Sequence, residues 1–352
     1  MFIVDAHEDI ATNALNFDRD VRRSTSEQRA REAANPPDDA DPSGKWRGMS
    51  DTIMVGLPDQ RRGGVGLVCS TIFVYPGEQE ATTAEGWAQI HYYQALAAEP
   101  NDSCIRLITS HVDLERLTQD YAAAPSPEQR PVGYLMLMEG ADPIREPADL
   151  EQWYNAGLRL IGPAWRGTRY CGGTGQPGGL TDLGRALLDE MARLHMVLDF
   201  SHMADETVWE ALERYLGPII ASHTNSRALT PTDRHFTDEQ IKAIVARGGV
   251  IGVVLHNSFL SHGWRRGDPP LTLDAVVAQL DHVCQLIGDA QHSGIGSDFD
   301  GGAGVEATPE PFNTVADLAK LADALRDHGY SEADITGIMG RNFLRAFGEA
   351  LG

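Results

Sequence analysis

At 352 residues with 42% apolar content, the chain is long enough to bury a sizeable core, and residues 1–352 read as one α/β domain. A net charge of −22 excludes the basic surface that nucleic acid requires and favours a small-molecule enzyme. The four cysteines, Cys69, Cys104, Cys171 and Cys284, lack C-x-x-C spacing and read as reduced thiols, and no apolar run approaches the roughly 20 residues of a membrane span.

The first predicted strand, Phe2-Ile3-Val4, leads into Asp5-Ala6-His7-Glu8-Asp9. This motif lies so near the start that no cleavable signal peptide fits before it, and a cytoplasmic location is expected. Residues 18–50 are polar and contain Asn35-Pro36-Pro37-Asp38-Asp39, which predicts a rim insertion, mostly loop with one helical stretch. Residues 65–74 form the second strand and 84–98 have helical spacing. The third strand, Tyr134 to Met138, ends on Glu139. The fourth, 158–162, opens into a glycine-rich loop over 165–179. Thr181 then caps a helix whose Leu183, Leu187, Met191 and Leu194 follow a 3.6-residue period. The fifth strand, 196–201, ends on His202, and the sixth, 218–222, on His223. A seventh at 250–255 and an eighth at 294–297, ending on Asp298, complete the set. Helices at 273–287, 315–326 and 331–347 finish an outer ring.

Eight strand and helix units of this kind predict a (β/α)8 TIM-type barrel with rim insertions, whose functional residues gather at the carboxyl ends of the strands. Taken singly, each strand-end residue has an ordinary explanation. His-x-Asp triplets arise by chance, Glu139 suits a cap or an ion pair, and a lone histidine after serine is commonly a hydrogen-bonded core residue. Asp298 stands out because Gly294, Gly296, Gly301 and Gly302 bracket it and permit close backbone approach. Five such strand ends on one rim suit a two-metal hydrolytic centre. Lys45, Lys242 and Lys320 are the only lysines and none ends a strand, so a bridge between two metals has to be a carboxylate side chain.

These residues carry a family resemblance. His7-Glu8-Asp9, Glu139-Gly140, Asp199-Phe200-Ser201-His202, Ser222-His223, Arg234, Gly296-Ser297-Asp298-Phe299-Asp300-Gly301 and Gly340-Arg341-Asn342-Phe343-Leu344-Arg345 together resemble the renal (membrane) dipeptidase family, peptidase family M19 of the amidohydrolase superfamily, in its bacterial form. The match runs in order along nearly the whole chain. It implies two zinc ions per chain, one held by His7 and Asp9 and the other by His202 and His223. Glu139 and a water or hydroxide would bridge them. Asp298 would be the general base and Arg234 the clamp on a dipeptide's free carboxylate.

Two positions depart from the family pattern. Trp165 stands where the family usually carries a histidine that orients the scissile carbonyl, and His235 follows Arg234 where asparagine is common. Indole donates one hydrogen bond and cannot become a cation, so His256, Arg166 and Tyr170 are candidates for the missing donor. The resulting expectation is a dipeptidase, tolerant of a D-residue at the second position. Alternatives are a related amidohydrolase acting on N-acyl amino acids or lactones, and a metal-binding protein that has lost catalysis. The intact Asp298 argues against the last. A small peptide substrate, no nucleic acid or membrane partner, and a homodimer complete the expectations.

Overall fold

Parallel strands covered by helices are buried on both faces, so they carry continuous apolar runs in place of an alternating pattern. Strand β1 (Ile3–Glu8) and strand β2 (Val65–Phe73) are of this kind, buried at every position. The computed structural model describes residues 1–35, 51–99 and 104–352. The remaining strands are β3 (Ile105–Leu107), β4 (Val132–Glu139), β5 (Leu160–Gly162), β6 (Cys171–Gly173), β7 (Gln176–Leu180), β8 (Val197–Asp199), β9 (Ile219–Ile220), β10 (Ile251–Val253) and β11 (Ser293–Ile295). Eight of them run in the order β10-β11-β1-β2-β4-β5-β8-β9, and a parallel bridge from Ala221 to Ile251 closes the ring. The expected TIM-type barrel is therefore present.

Side-chain alternation sorts the strands into two layers. Val4, Ala6, Leu67, Cys69, Leu135, Leu137, Leu160, Val197, Ile220 and Val250 share one cluster with Phe343 and Phe347 of the C-terminal helix. Tyr134, Met136 and Met138, one residue out of phase, pack with the helices outside. The inner cluster fills the barrel below the site, which leaves the strand ends above it for polar chemistry. Gly294 is needed at the base, where a Cβ would lie 2.6 Å from the Phe343 ring.

Several elements differ from the sequence reading. The later strands are short, two or three residues each, and end three residues before His202, His223, His256 and Asp298. The loop at 165–179 contains the β6–β7 hairpin. The helix predicted at 331–347 is three pieces, Glu332–Thr336, a wide π turn at Gly337–Arg341 and Asn342–Ala350. Asn342 there donates to the carbonyls of Ala290 and Ser293, both at 2.7 Å, tying the helix to the start of β11. Within the polar insertion, Ser24 and Glu27 form a capping box that starts a helix at Thr25–Ala34. The remainder of the predicted insertion, 36–50, lies outside the described residues. Among the described residues no helix is long and apolar enough to cross a membrane.

Candidate metal centre

Register places the site. Phe73, Glu139 and Gly162 are aligned at the ends of β2, β4 and β5, and Glu139 projects into the mouth among His7 of β1, Asp9 directly after it, the two histidines after β8 and β9, and Asp298 after β11. Two of these residues reach the mouth through unusual backbone. His202 at φ 68° and Asp298 at φ 61° occupy the left-handed region, which non-glycine residues adopt at a cost of order 1–3 kcal/mol and which clusters at functional sites. Space is equally constrained beneath them. A Cβ on Gly252 or Gly296 would lie 1.9 or 1.8 Å from the Ser222 carbonyl oxygen, so glycine on β10 and after β11 lets the chain before His223 pass between them.

The two oxygens of Glu139 face different partners. Oε1 lies 2.9 Å from His202 Nε2 and 3.3 Å from His223 Nε2, whereas Oε2 lies 3.7 Å from His7 Nε2. His7 Nε2 is also 3.4 Å from Asp9 Oδ2 and 3.8 Å from Asp298 Oδ1. Separations of 3.4–3.8 Å exceed hydrogen-bond length. They suit ligand atoms around a cation, since tetrahedral bonds of about 2.1 Å hold ligands about 3.4 Å apart. Both nitrogens of His7 and both carboxylate oxygens of Asp9 are buried without a hydrogen-bond partner, a costly arrangement that a cation bound at His7 Nε2 and Asp9 would in part relieve.

Tautomers point the same way. Ser222 Oγ donates to Asp199 Oδ2 at 2.5 Å, so toward His223 Nδ1, 2.8 Å away, it can only accept. The proton is therefore on Nδ1, and the Nε2 lone pair faces the cavity. His202 Nδ1 meets Thr174 Oγ1 at 3.1 Å, and Nε2 of His202 approaches Nε2 of His223 to 3.1 Å. Burial and nearby positive charge lower both imidazoles, His202 to about 4 and His223 well below its ordinary range, which keeps them neutral. Thr174 Oγ1 donates to the His202 carbonyl at 3.4 Å and so accepts from His202 Nδ1–H, which turns both Nε2 lone pairs toward each other, a repulsion that a divalent cation would relieve. The donor set of imidazoles and carboxylates fits a divalent cation.

Charge around the centre is unbalanced in the same sense. Burial opposes ionisation of Glu139, yet the charge of His7 and the imidazoles around the carboxylate outweigh it and hold it well below its ordinary range. Burial also disfavours a charged His7, but Glu139 and Asp9 raise it well above. Asp298 is pushed well above the usual range by burial, with Asp9 and Glu139 adding to the effect. Three carboxylates thus crowd one buried pocket, and Gly301 is pressed against two of them, with no room for a Cβ that would meet Asp298 Oδ1 at 2.1 Å.

Arg234 is the neighbouring cation. Its Nη2 donates to the His223 carbonyl at 2.7 Å and its guanidinium lies over the Phe259 ring at 5.4 Å. Nε and Nη1 are buried and unpartnered, so this arginine has donors to spare. A cavity of ≈190 Å³ opens above the centre. Asp9, Glu139, His202 and Asp298 form its floor, and Phe73, Tyr75, Trp165, His256 and Phe259 its walls. A larger hollow of ≈700 Å³ at the other end of the barrel, between Arg159, Arg247 and the C-terminal residues, contains none of the metal-ligating groups.

Of the candidate donors, the structure brings only some to the cavity. His256 lines it, and because its Nδ1 accepts from the backbone N–H of Ser258 at 3.1 Å, its remaining donor is Nε2–H. Tyr170 does not reach it, its hydroxyl donating to the Ile144 carbonyl at 2.5 Å in the core. Arg166 is exposed, with its guanidinium 5.1 Å from the Trp165 ring. His235 is buried, and its Nδ1 accepts from Asn225 N at 3.2 Å. Residues that the sequence reading gave no role are equally part of the site. Asp5 accepts from Ser297 N at 2.7 Å and Ser297 Oγ at 2.5 Å, and Asp199 does the same for Ser222, each fixing the strand end before a functional residue. The signal for these supports was an aspartate two or three residues before a histidine, and a serine directly before Asp298 and His223.

Fold and site define a metal-dependent hydrolase on a TIM-type barrel. The chain belongs to the membrane dipeptidase family, peptidase family M19, whose profile matches residues 1–351. A protein from the pqqA 5′ region of Klebsiella pneumoniae is 34% identical over 270 residues, 74% of this chain and 93% of that protein. Among solved structures, a dipeptidase AC, a metallopeptidase of family M19, superposes with a TM-score of 0.80 at 25% identity, covering 100% of this chain and 99% of the other. A metallopeptidase from Rhodobacter sphaeroides, liganded with a phosphinate mimic of the dipeptide L-Ala-D-Ala, superposes with a TM-score of 0.80 at 24% identity, covering 100% and 99%.

Proposed function

We propose that the protein is a binuclear zinc dipeptidase that hydrolyses dipeptides with a free C-terminal carboxylate and accepts a D-residue at the second position. The observation that carries the metal count is the division of Glu139, one oxygen facing His202 and His223 and the other facing His7 beside Asp9. His7 and Asp9 would hold one ion, His202 and His223 the other, with Glu139 shared. When bound, two divalent cations supply an acidified water and polarise the scissile carbonyl. Asp298, at the cavity floor and raised by burial, is suited to take a proton from the attacking water and return it to the leaving amine. Arg234 offers its unpartnered Nε and Nη1 to the substrate carboxylate, a pairing that guanidinium geometry favours. His256 Nε2–H takes over a donor role at the substrate carbonyl in place of the absent family histidine.

The D-residue follows the L-Ala-D-Ala mimic bound by the Rhodobacter sphaeroides neighbour. A hydrolysis screen of zinc-loaded protein against L,L-dipeptides, L,D-dipeptides and N-acyl amino acids tests the whole reading. Cleavage of free dipeptides is the expected result. Turnover of N-acyl amino acids alone would replace the dipeptidase with the broader amidohydrolase.

A further inference from the structure

Phe73, Tyr75 and Trp165 form a single aromatic cluster on one wall of the cavity. Their ring centroids are 5.2, 5.1 and 5.1 Å apart, every pair edge-to-face at 65–70°. Phe73 ends β2 and Trp165 follows β5, so the cluster flanks β4, the strand that carries Glu139. Arg234 follows β9 and Phe259 follows β10. In the closed ring β10 is four strands from β4 in either direction, which sets the guanidinium and its Phe259 neighbour across the mouth from the aromatic cluster. A substrate with its carboxylate at Arg234 and its scissile carbonyl above Glu139 has its first residue against that cluster.

We propose that Phe73, Tyr75 and Trp165 form a pocket that selects a bulky apolar side chain on the first residue of the substrate, an inference that rests on the dipeptidase reading for the direction in which substrate lies. The chemistry of the wall supports it. The carboxylates lining the cavity are those of the metal centre and Asp298, which leaves none for a cationic side chain, and Arg166 already sets a positive charge 5.1 Å from the Trp165 ring. A leucine or phenylalanine side chain buried against three rings exchanges water for apolar contact, whereas glycine leaves the wall wet. Trp165 in place of a family histidine thus acts on specificity, making the acyl side of the cavity apolar.

The test is kcat/KM for zinc-loaded protein on X-D-Ala dipeptides with X as Gly, Ala, Leu, Phe, Lys or Glu, in wild type, Trp165→Ala and Trp165→Phe. Leu and Phe should exceed Gly by roughly 10- to 100-fold, Trp165→Ala should lose most of the Leu/Gly and Phe/Gly ratios, and Trp165→Phe should keep them. Use of Gly, Leu and Phe within about threefold of one another, or preference for Lys or Glu, overturns the pocket and leaves the dipeptidase standing. If no dipeptide is cleaved, the dipeptidase reading falls, and calorimetric binding of phosphinate dipeptide mimics decides the pocket independently. Wild type binding a mimic with a benzyl first side chain at least about 10-fold tighter than one with hydrogen there, with the difference lost in Trp165→Ala, upholds it; equal binding, or none, overturns it.

Discussion

Ser222 is bound to Asp199 twice, through its backbone N–H to Oδ1 at 2.8 Å and through its hydroxyl to Oδ2 at 2.5 Å. Ser297 and Asp5 repeat the arrangement on the other side of the barrel, at 2.7 and 2.5 Å. In each case an aspartate of the neighbouring strand, Asp199 at the end of β8 or Asp5 within β1, holds the serine that directly precedes a functional residue, His223 or Asp298. Removing the hydroxyl of Ser222 also removes the acceptor for His223 Nδ1–H. Ser222→Ala is therefore expected to weaken zinc binding by about 10- to 100-fold, the usual loss for a group supporting a metal ligand. Competition with a chelator of known affinity measures it, and unchanged affinity would remove Ser222 from the ligand's support.

Metal content separates a binuclear centre from a mononuclear one. Protein saturated with zinc and freed of excess should retain close to two ions per chain. The ions bind the folded state alone, so chelation should lower the thermal midpoint, with about 2.7 kcal/mol of stability gained for each site at a free zinc concentration 100 times its Kd. One ion per chain by elemental analysis would reduce the centre to a single site.

Asp298→Asn keeps the shape of the side chain and removes its proton-accepting role. Turnover should fall by at least about 10²-fold while zinc content is largely retained. Activity close to wild type would take Asp298 out of the proton path.

Arg234 carries the substrate-class prediction. Arg234→Met should weaken use of free dipeptides by about 1.5–3 kcal/mol, the range for a hydrogen bond to a charged group, and amidating the substrate C-terminus should cost wild type a similar amount. Because both changes remove one contact, their losses should not add. Full additivity in kcat/KM, or equal cleavage of amides and free dipeptides, would show that the guanidinium serves another purpose.

Gly296→Ala probes the backbone beneath the site. The new methyl would lie 1.8 Å from the Ser222 carbonyl oxygen, and neither chain can yield without moving His223 or Asp298. A loss of more than about 3 kcal/mol by denaturant unfolding is expected, together with loss of zinc. Wild-type stability would mean that the β9 and β11 ends are freer to part than their packing implies.

The barrel and the cluster of imidazoles and carboxylates at its rim are legible in the sequence because both are local patterns. Apolar runs followed by a single polar residue mark where a buried strand leaves the sheet, and the β/α rhythm orders those points around one mouth. The same logic reads the 273–287 helix correctly, as Leu273–Ile287. It misses the β6–β7 hairpin, whose glycines look like loop, although that hairpin carries Thr174 to His202. It also cannot choose among donors of equal chemistry. Tyr170 and His256 are equivalent candidates in the sequence, and only packing sends one hydroxyl to Ile144 and leaves the other side chain at the cavity. The support of Asp298 by Asp5 joins residues nearly a whole chain apart through Ser297. Closure of the ring decides that contact, along with the burial of Arg234 and the placing of Phe73 beside Trp165, because each depends on which strands become neighbours and how closely their ends converge. Residue type and spacing specify the chemistry that is available; the closed barrel specifies which groups share it.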